Sequence, residues 1–134
     1  MSLRQFYPKR NSRHRVSSWK MATLYITTVI AILLQISYPL IDGESLRVVT
    51  IATVYWAAAA MSIHALLAYG VKYASIFIST TFTYALIIEQ IGSKTGWPFG
   101  SYEYSGTLGY QIYGVPLVVP FAWIMIAHPL LIAA

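Results

Sequence analysis

The chain has 134 residues, of which 57% are hydrophobic and only 10% charged. Soluble domains carry about 25% charged residues, so lipid has to cover much of this surface. The net charge of +5 is not spread over a face that would suit nucleic acid: Arg4, Lys9, Arg10, Arg13, Arg15 and Lys20 crowd the first twenty positions, the pattern of a tail resting on anionic headgroups. Cysteine is absent, which excludes disulfides, thiolate nucleophiles and cysteine metal sites together.

Residues 1–18 read as a basic cytoplasmic tail and residues 19–134 as one membrane domain. The first span, about 19–40, starts at Trp19 as an interfacial anchor. Its apolar part is too long for a signal-peptide core, and no small-x-small cleavage site follows it. Pro39 and the Asp42-Gly43-Glu44 segment mark a turn. A second span covers about 47–69, Gly70-Val71-Lys72 form a tight connection, and a third span covers about 73–92, with Gly92 as its stop. A loop dense in glycine and aromatic residues occupies 93–112, and a fourth span runs over 113–134. Each run approaches the ~20 residues needed to cross a bilayer. Backbone groups in lipid must be satisfied internally, so the β-branched richness of these runs does not argue for strands.

The fold class expected is therefore all-α: a polytopic integral membrane helix bundle of about four transmembrane helices, with a structured loop between the third and fourth. The basic tail and Lys72 put the N-terminus in the cytoplasm and the 93–112 loop outside the cell membrane, with Lys94 running against that assignment. The run Leu130-Leu131-Ile132-Ala133-Ala134 brings no polar tail; the plain reading is a helix that ends at the cytoplasmic interface, and the favoured one is the first part of a longer protein or one subunit of a pair.

Helical spacing groups Thr50, Thr53, Ala57, Ala60 and His64 on one stripe of the second span, a small and weakly polar face that lets membrane helices approach closely. Thr28, Ala31, Gln35 and Tyr38 do the same on the first span. Glu89 is the most informative residue, because an intramembrane carboxyl group is expensive and points to a role, and proton donation is the role that suits it. The competing reading is an ion pair with Lys94, five residues on. His64, His128 and Glu103 are further acid–base candidates, each with a plainer reading as a packing histidine or a solvated loop charge. None of these residues has metal-ligand spacing such as HExxH or ExxH, and neither a phosphate-binding glycine loop nor a DxxxD diphosphate segment occurs. No metal or cofactor is expected.

The loop itself is unusual. Trp97, Phe99, Tyr102, Tyr104, Tyr110 and Tyr113 alternate with Gly96, Gly100, Gly106, Gly109 and Gly114. Aromatic side chains at this density seek burial or the membrane interface, so the segment reads as a packed cap over a site in the membrane, with Glu89 beneath or beside it. The run E-Q-I-G-S-K-T-G-W-P-F-G-S-Y-E-Y over 89–104, followed by Leu108-Gly109, Gly114-Val115-Pro116-Leu117, Pro120 and Trp123, resembles the signature of the carotenoid biosynthesis membrane protein family of the carotenoid-hydratase type. The resemblance covers about 89–123 and family members are about twice this length, so the similarity implies an N-terminal half.

What it implies is acid-catalysed addition of water to a terminal isopropylidene double bond of an acyclic or monocyclic carotenoid, giving a tertiary alcohol. Such a reaction needs an acid, a held water and a surface that stabilises a tertiary carbocation. Glu89 is the expected acid, with Glu103 and His64 as further catalytic candidates. Gln90, Tyr102 and Tyr104 are placed to position water, and the aromatic faces of Trp97, Phe99, Tyr113 and Trp123 to hold the polyene and its cation. The expected partners are the polyene substrate, the lipid bilayer, and a second membrane subunit or another copy of the chain. The alternative is a non-catalytic membrane subunit or transporter half in which Glu89 carries protons or ions. A small-subunit lycopene cyclase would show a Pro-x-Glu-(Glu/Asp) motif, and the sequence has none.

Overall fold

The computed structural model describes residues 16–134. The basic tail expected over 1–18 lies outside the described residues up to position 15. Helix α1 (Ser18–Ser37) ends in a 3₁₀ turn at Tyr38–Leu40, where Pro39 cannot continue an α-helix; helices α2 (Gly43–Tyr69) and α3 (Val71–Thr95) follow. A loop containing a two-stranded ribbon, β1 (Gln111–Ile112) and β2 (Val115–Pro116), leads to α4 (Val118–Ala133). The fold is an all-α bundle. Three of its helices are long and apolar enough to cross a membrane, α4 is shorter, and the protein is membrane-embedded.

Helix α2 is the centre of the bundle and packs against α1, α3 and α4. Its alanines make that possible: Ala58, Ala60 and Ala65 are fully buried, as is Ala85 of α3, and small side chains let helix backbones close up where no water drives them together. Ala58, Phe77 and Ile124 form the core, with Tyr73, Phe82, Phe121 and Met125 packed around them. Helix α1 is peripheral. Thr27 is its one buried residue, and Ile26, Val29, Leu33 and Ile36 turn outward, as lipid contact requires. Its threonines bond to their own helix, Thr23 Oγ1 to the Trp19 carbonyl at 3.0 Å and Thr28 Oγ1 to the Leu24 carbonyl at 2.8 Å, so their hydroxyls face hydrocarbon without an open hydrogen bond.

Helix α2 starts at Gly43 instead of about 47, with Asp42 as its extended N-cap, so Gly43 and Glu44 belong to the helix and not to the turn. Three further boundaries differ from the sequence reading, each for a backbone reason. The connection between α2 and α3 is the single residue Gly70 at φ +89°, a conformation L side chains rarely adopt. Helix α3 continues through Gly92 to Thr95; its stop is Gly96, left-handed at φ +73°, whose N–H donates to the Gly92 carbonyl at 2.8 Å. Helix α4 starts at Val118 instead of 113, because Tyr113 (φ +51°) and Gly114 (φ +85°) form the two-residue turn of a hairpin that pairs Gln111 with Pro116 and Ile112 with Val115. The interhelical segment thus runs over 96–117. At 16 residues, α4 is about 24 Å long, short of the ~30 Å hydrocarbon thickness. Pro120 falls in its first turn, where a missing N–H leaves no bond unmade.

Candidate functional site

Glu89 lies two turns from the end of α3 and is 8% exposed. Three donors converge on its carboxylate. Trp123 Nε1 of α4 donates to Oε1 at 2.9 Å, and the hydroxyls of Tyr102 and Tyr104 donate to Oε2 at 2.8 and 2.6 Å. The Tyr102 hydroxyl also reaches the Glu89 backbone carbonyl at 3.2 Å. An indole N–H can only donate, so the Trp123 bond fixes Oε1 as an acceptor. Among the described residues Lys94 makes no ion pair with Glu89; the ion pair formed lies elsewhere, between Arg47 and Glu44.

The loop reaches this point by alternation. Tyr102 and Tyr104 point inward and pack edge to face with ring centroids 5.4 Å apart, while Glu103 between them is exposed. Gly92 makes room for the contact, since a Cβ on Gly92 would stand 3.2 Å from Cζ of Tyr102 and closer still to its hydroxyl. Burial first, and then the adjoining carboxylate, push both phenols above their ordinary value. They stay protonated, and so remain donors, throughout the physiological range. On the outer rim, the Arg47 guanidinium grips both Glu44 and the Thr107 carbonyl and ties the loop to the start of α2.

An apolar groove of about 540 Å³ runs beside this cluster between α2 and α4, lined by Thr50, Val54, Leu108, Val119, Ala122 and Trp123 among others. Thr50 keeps its hydroxyl occupied with the Leu46 carbonyl and the Tyr38 hydroxyl. Glu89 does not line the groove. Trp123 belongs to both places, with its N–H on the carboxylate and its ring in the groove wall.

The structure therefore gathers Glu89, Tyr102, Tyr104 and Trp123, and sets the other candidates apart. Gln90 is half-buried and its backbone carbonyl accepts from Ser93 Oγ at 3.2 Å; none of the hydrogen bonds to the Glu89 carboxylate comes from it. Glu103 turns outward. Trp97, Phe99 and Tyr113 are exposed on the loop and do not line the groove. His64 is not near Glu89 in the bundle: its Nδ1 lies 2.9 Å from Nε2 of His128, and the pair packs against Tyr69 and Tyr73, with Phe77 against His128. Among the described residues no group of three or more His, Asp or Glu could hold a metal ion. The sequence reading missed the space-making role of Gly92, although Glu89 and Gly92 stand three residues apart and so on one face of α3. It placed Trp123 with the substrate and missed its hydrogen bond to the carboxylate.

Residues 47–134 match the model of the family described as carotenoid biosynthesis protein. That is well over half of the chain, it includes every residue of the Glu89 cluster, and the chain belongs to this family. No curated protein and no solved structure matches it.

Proposed function

We propose that this member of the carotenoid biosynthesis protein family adds water across a terminal isopropylidene double bond of an acyclic or monocyclic carotenoid, by acid catalysis inside the membrane. The observation that carries this reading is the buried Glu89 with two phenols and an indole aimed at its carboxylate, one side chain away from a groove of hydrocarbon character. In its carboxylic acid form Glu89 transfers a proton, directly or through a phenol, to the less substituted alkene carbon. A C–H bond forms, the π bond breaks, and the positive charge rests on the tertiary carbon. The face of Trp123 is the nearest aromatic surface for that cation, a contact that contributes about 2 kcal/mol when desolvated. Water then bonds to the tertiary carbon and its surplus proton returns to the Glu89 carboxylate. One water is consumed, and no oxidant or reductant enters the balance. Tyr102 and Tyr104 hold the carboxyl in place and offer the hydroxyls through which a proton can pass.

In this proposal the polyene lies in the bilayer beside α2 and α4, the chain's basic start faces the cytoplasm, and a second membrane subunit or another copy completes the site. The test is Glu89→Gln, which keeps the volume and removes the transferable proton. The variant is co-expressed with an acyclic carotenoid pathway and, where needed, its completing partner, and the hydroxylated fraction is normalised to membrane-bound protein. Loss of hydration by roughly 10²–10⁴-fold is expected, the range for a positioned general acid, with accumulation in the membrane unchanged. Near-normal product from Glu89→Gln would end the proposal.

A further inference from the structure

A second groove, of about 630 Å³, lies at the end of the bundle where α1 begins and α2 gives way to α3. Its walls divide by chemistry. Ser17, Trp19, Lys20 and Thr23 come from the start of α1; Ile63, Leu66 and Leu67 come from the last two turns of α2, and Val71 from the first of α3. Ile63 stands seven residues before the Gly70 turn, so the apolar wall extends about 10 Å along α2 from that turn. The Lys20 ammonium lies 5.6 Å from the centre of the Trp19 ring, and both side chains are exposed. In a bilayer this is a cation at headgroup depth on an indole of the interfacial belt, with a hydrocarbon slot running inward from it.

We infer that this groove seats an anionic phospholipid, its phosphate on Lys20 and the upper part of one acyl chain against Ile63, Leu66, Leu67 and Val71. Charge complementarity selects the occupant. A zwitterionic headgroup would leave Lys20 no net opposite charge, and a free anion would leave the apolar wall uncovered. A lysine suits a phosphate as a compact point charge with three rotatable donors. The inference uses no residue of the Glu89 cluster and does not depend on the hydration reading.

The purified full chain is examined by native mass spectrometry with phosphatidylglycerol or phosphatidylcholine of identical acyl chains. The wild type should retain phosphatidylglycerol preferentially. One basic residue near an anionic lipid contributes about fivefold in affinity, so Lys20→Gln should lower phosphatidylglycerol retention by about that factor and erase the preference. Val71→Trp, which places bulk in the groove from an exposed position, should lower retention of both lipids. Lys72→Gln, at the same turn but not in the groove wall, should behave as wild type. Equal retention of the two lipids by the wild type would overturn the inference, as would equal losses in Lys20→Gln and Lys72→Gln, which would mean diffuse surface attraction. So would unchanged retention by Val71→Trp, or a dimer mass in place of lipid adducts.

Discussion

Helix α4 supplies one side chain to each of two buried polar centres, Trp123 to the Glu89 cluster and His128 to the histidine pair, about 7.5 Å apart along its axis. Around Glu89 the hydrogen bonds close: three donors meet the two oxygens of one acceptor group. At the histidines they do not. The Nδ1–Nε2 contact uses one nitrogen of His128, and its buried Nδ1 has no hydrogen-bond partner among the described residues. This holds in either tautomer, since whichever ring donates, His128 keeps a second polar nitrogen in an apolar wall of Tyr73 and Phe77. The contrast separates two uses of buried polarity. The first centre orients a carboxyl group from three directions by means of a dedicated loop. The second joins α2 to α4 through one ring-to-ring hydrogen bond.

Gly92→Ala puts the sharpest strain on the first half of that comparison. The added methyl group must displace the Tyr102 hydroxyl, while alanine, being the better helix former, leaves α3 itself intact. A hydrogen bond to a charged group contributes about 1.5–3 kcal/mol, so hydration in the co-expression assay should fall about 10–100-fold with the protein still accumulating in the membrane. Full activity would show that Tyr102 is not needed to orient the carboxyl group.

The histidine pair is tested by undoing it in two ways. His128→Leu alone breaks the bond between the two rings and should lower stability by about 1 kcal/mol, the net worth of one hydrogen bond. The double variant His64→Leu with His128→Leu removes both polar groups and should unfold close to the wild type in a denaturant titration in detergent. Hydration should survive in the double variant. A large loss of activity at wild-type stability would move the pair from packing to chemistry and dissolve the comparison.

Lys94→Gln should do least. Glu89 takes its bonds from Tyr102, Tyr104 and Trp123, so removing this exposed lysine should leave the hydroxylated carotenoid fraction within about twofold. An effect as large as that of Glu89→Gln would restore the ion-pair reading of the carboxyl group.

The spans were legible because hydrophobicity reports contact with lipid, and α1, α2 and α3 are long and apolar on average. Their ends were less so. Gly92 and Gly96 look alike as helix stops, and which one takes the left-handed conformation depends on where the chain must turn. The apolar run from Tyr113 reads as helix throughout, yet Tyr113-Gly114 folds back as a hairpin turn. Glu89 stood out as a carboxyl group among apolar residues, and the density of tyrosine marked the loop. Nothing local, however, distinguishes Tyr102 and Tyr104 from Trp97, Phe99 and Tyr113, which the fold leaves on the surface.

By itself the sequence determined the class of this protein, its membrane helices, and a single carboxyl group set in hydrocarbon before a loop too aromatic to be plain solvent-exposed chain. Those properties follow from each segment's own preference for lipid or water. The tertiary structure alone decided what surrounds the carboxyl group. Trp123 lies 34 residues beyond Glu89, and it reaches the carboxylate because α3 and α4 pack against each other. Tyr102 reaches it because Gly92 has no side chain in its way. Hydrogen bonds act over about 3 Å, so their partners are chosen by packing that no local pattern encodes.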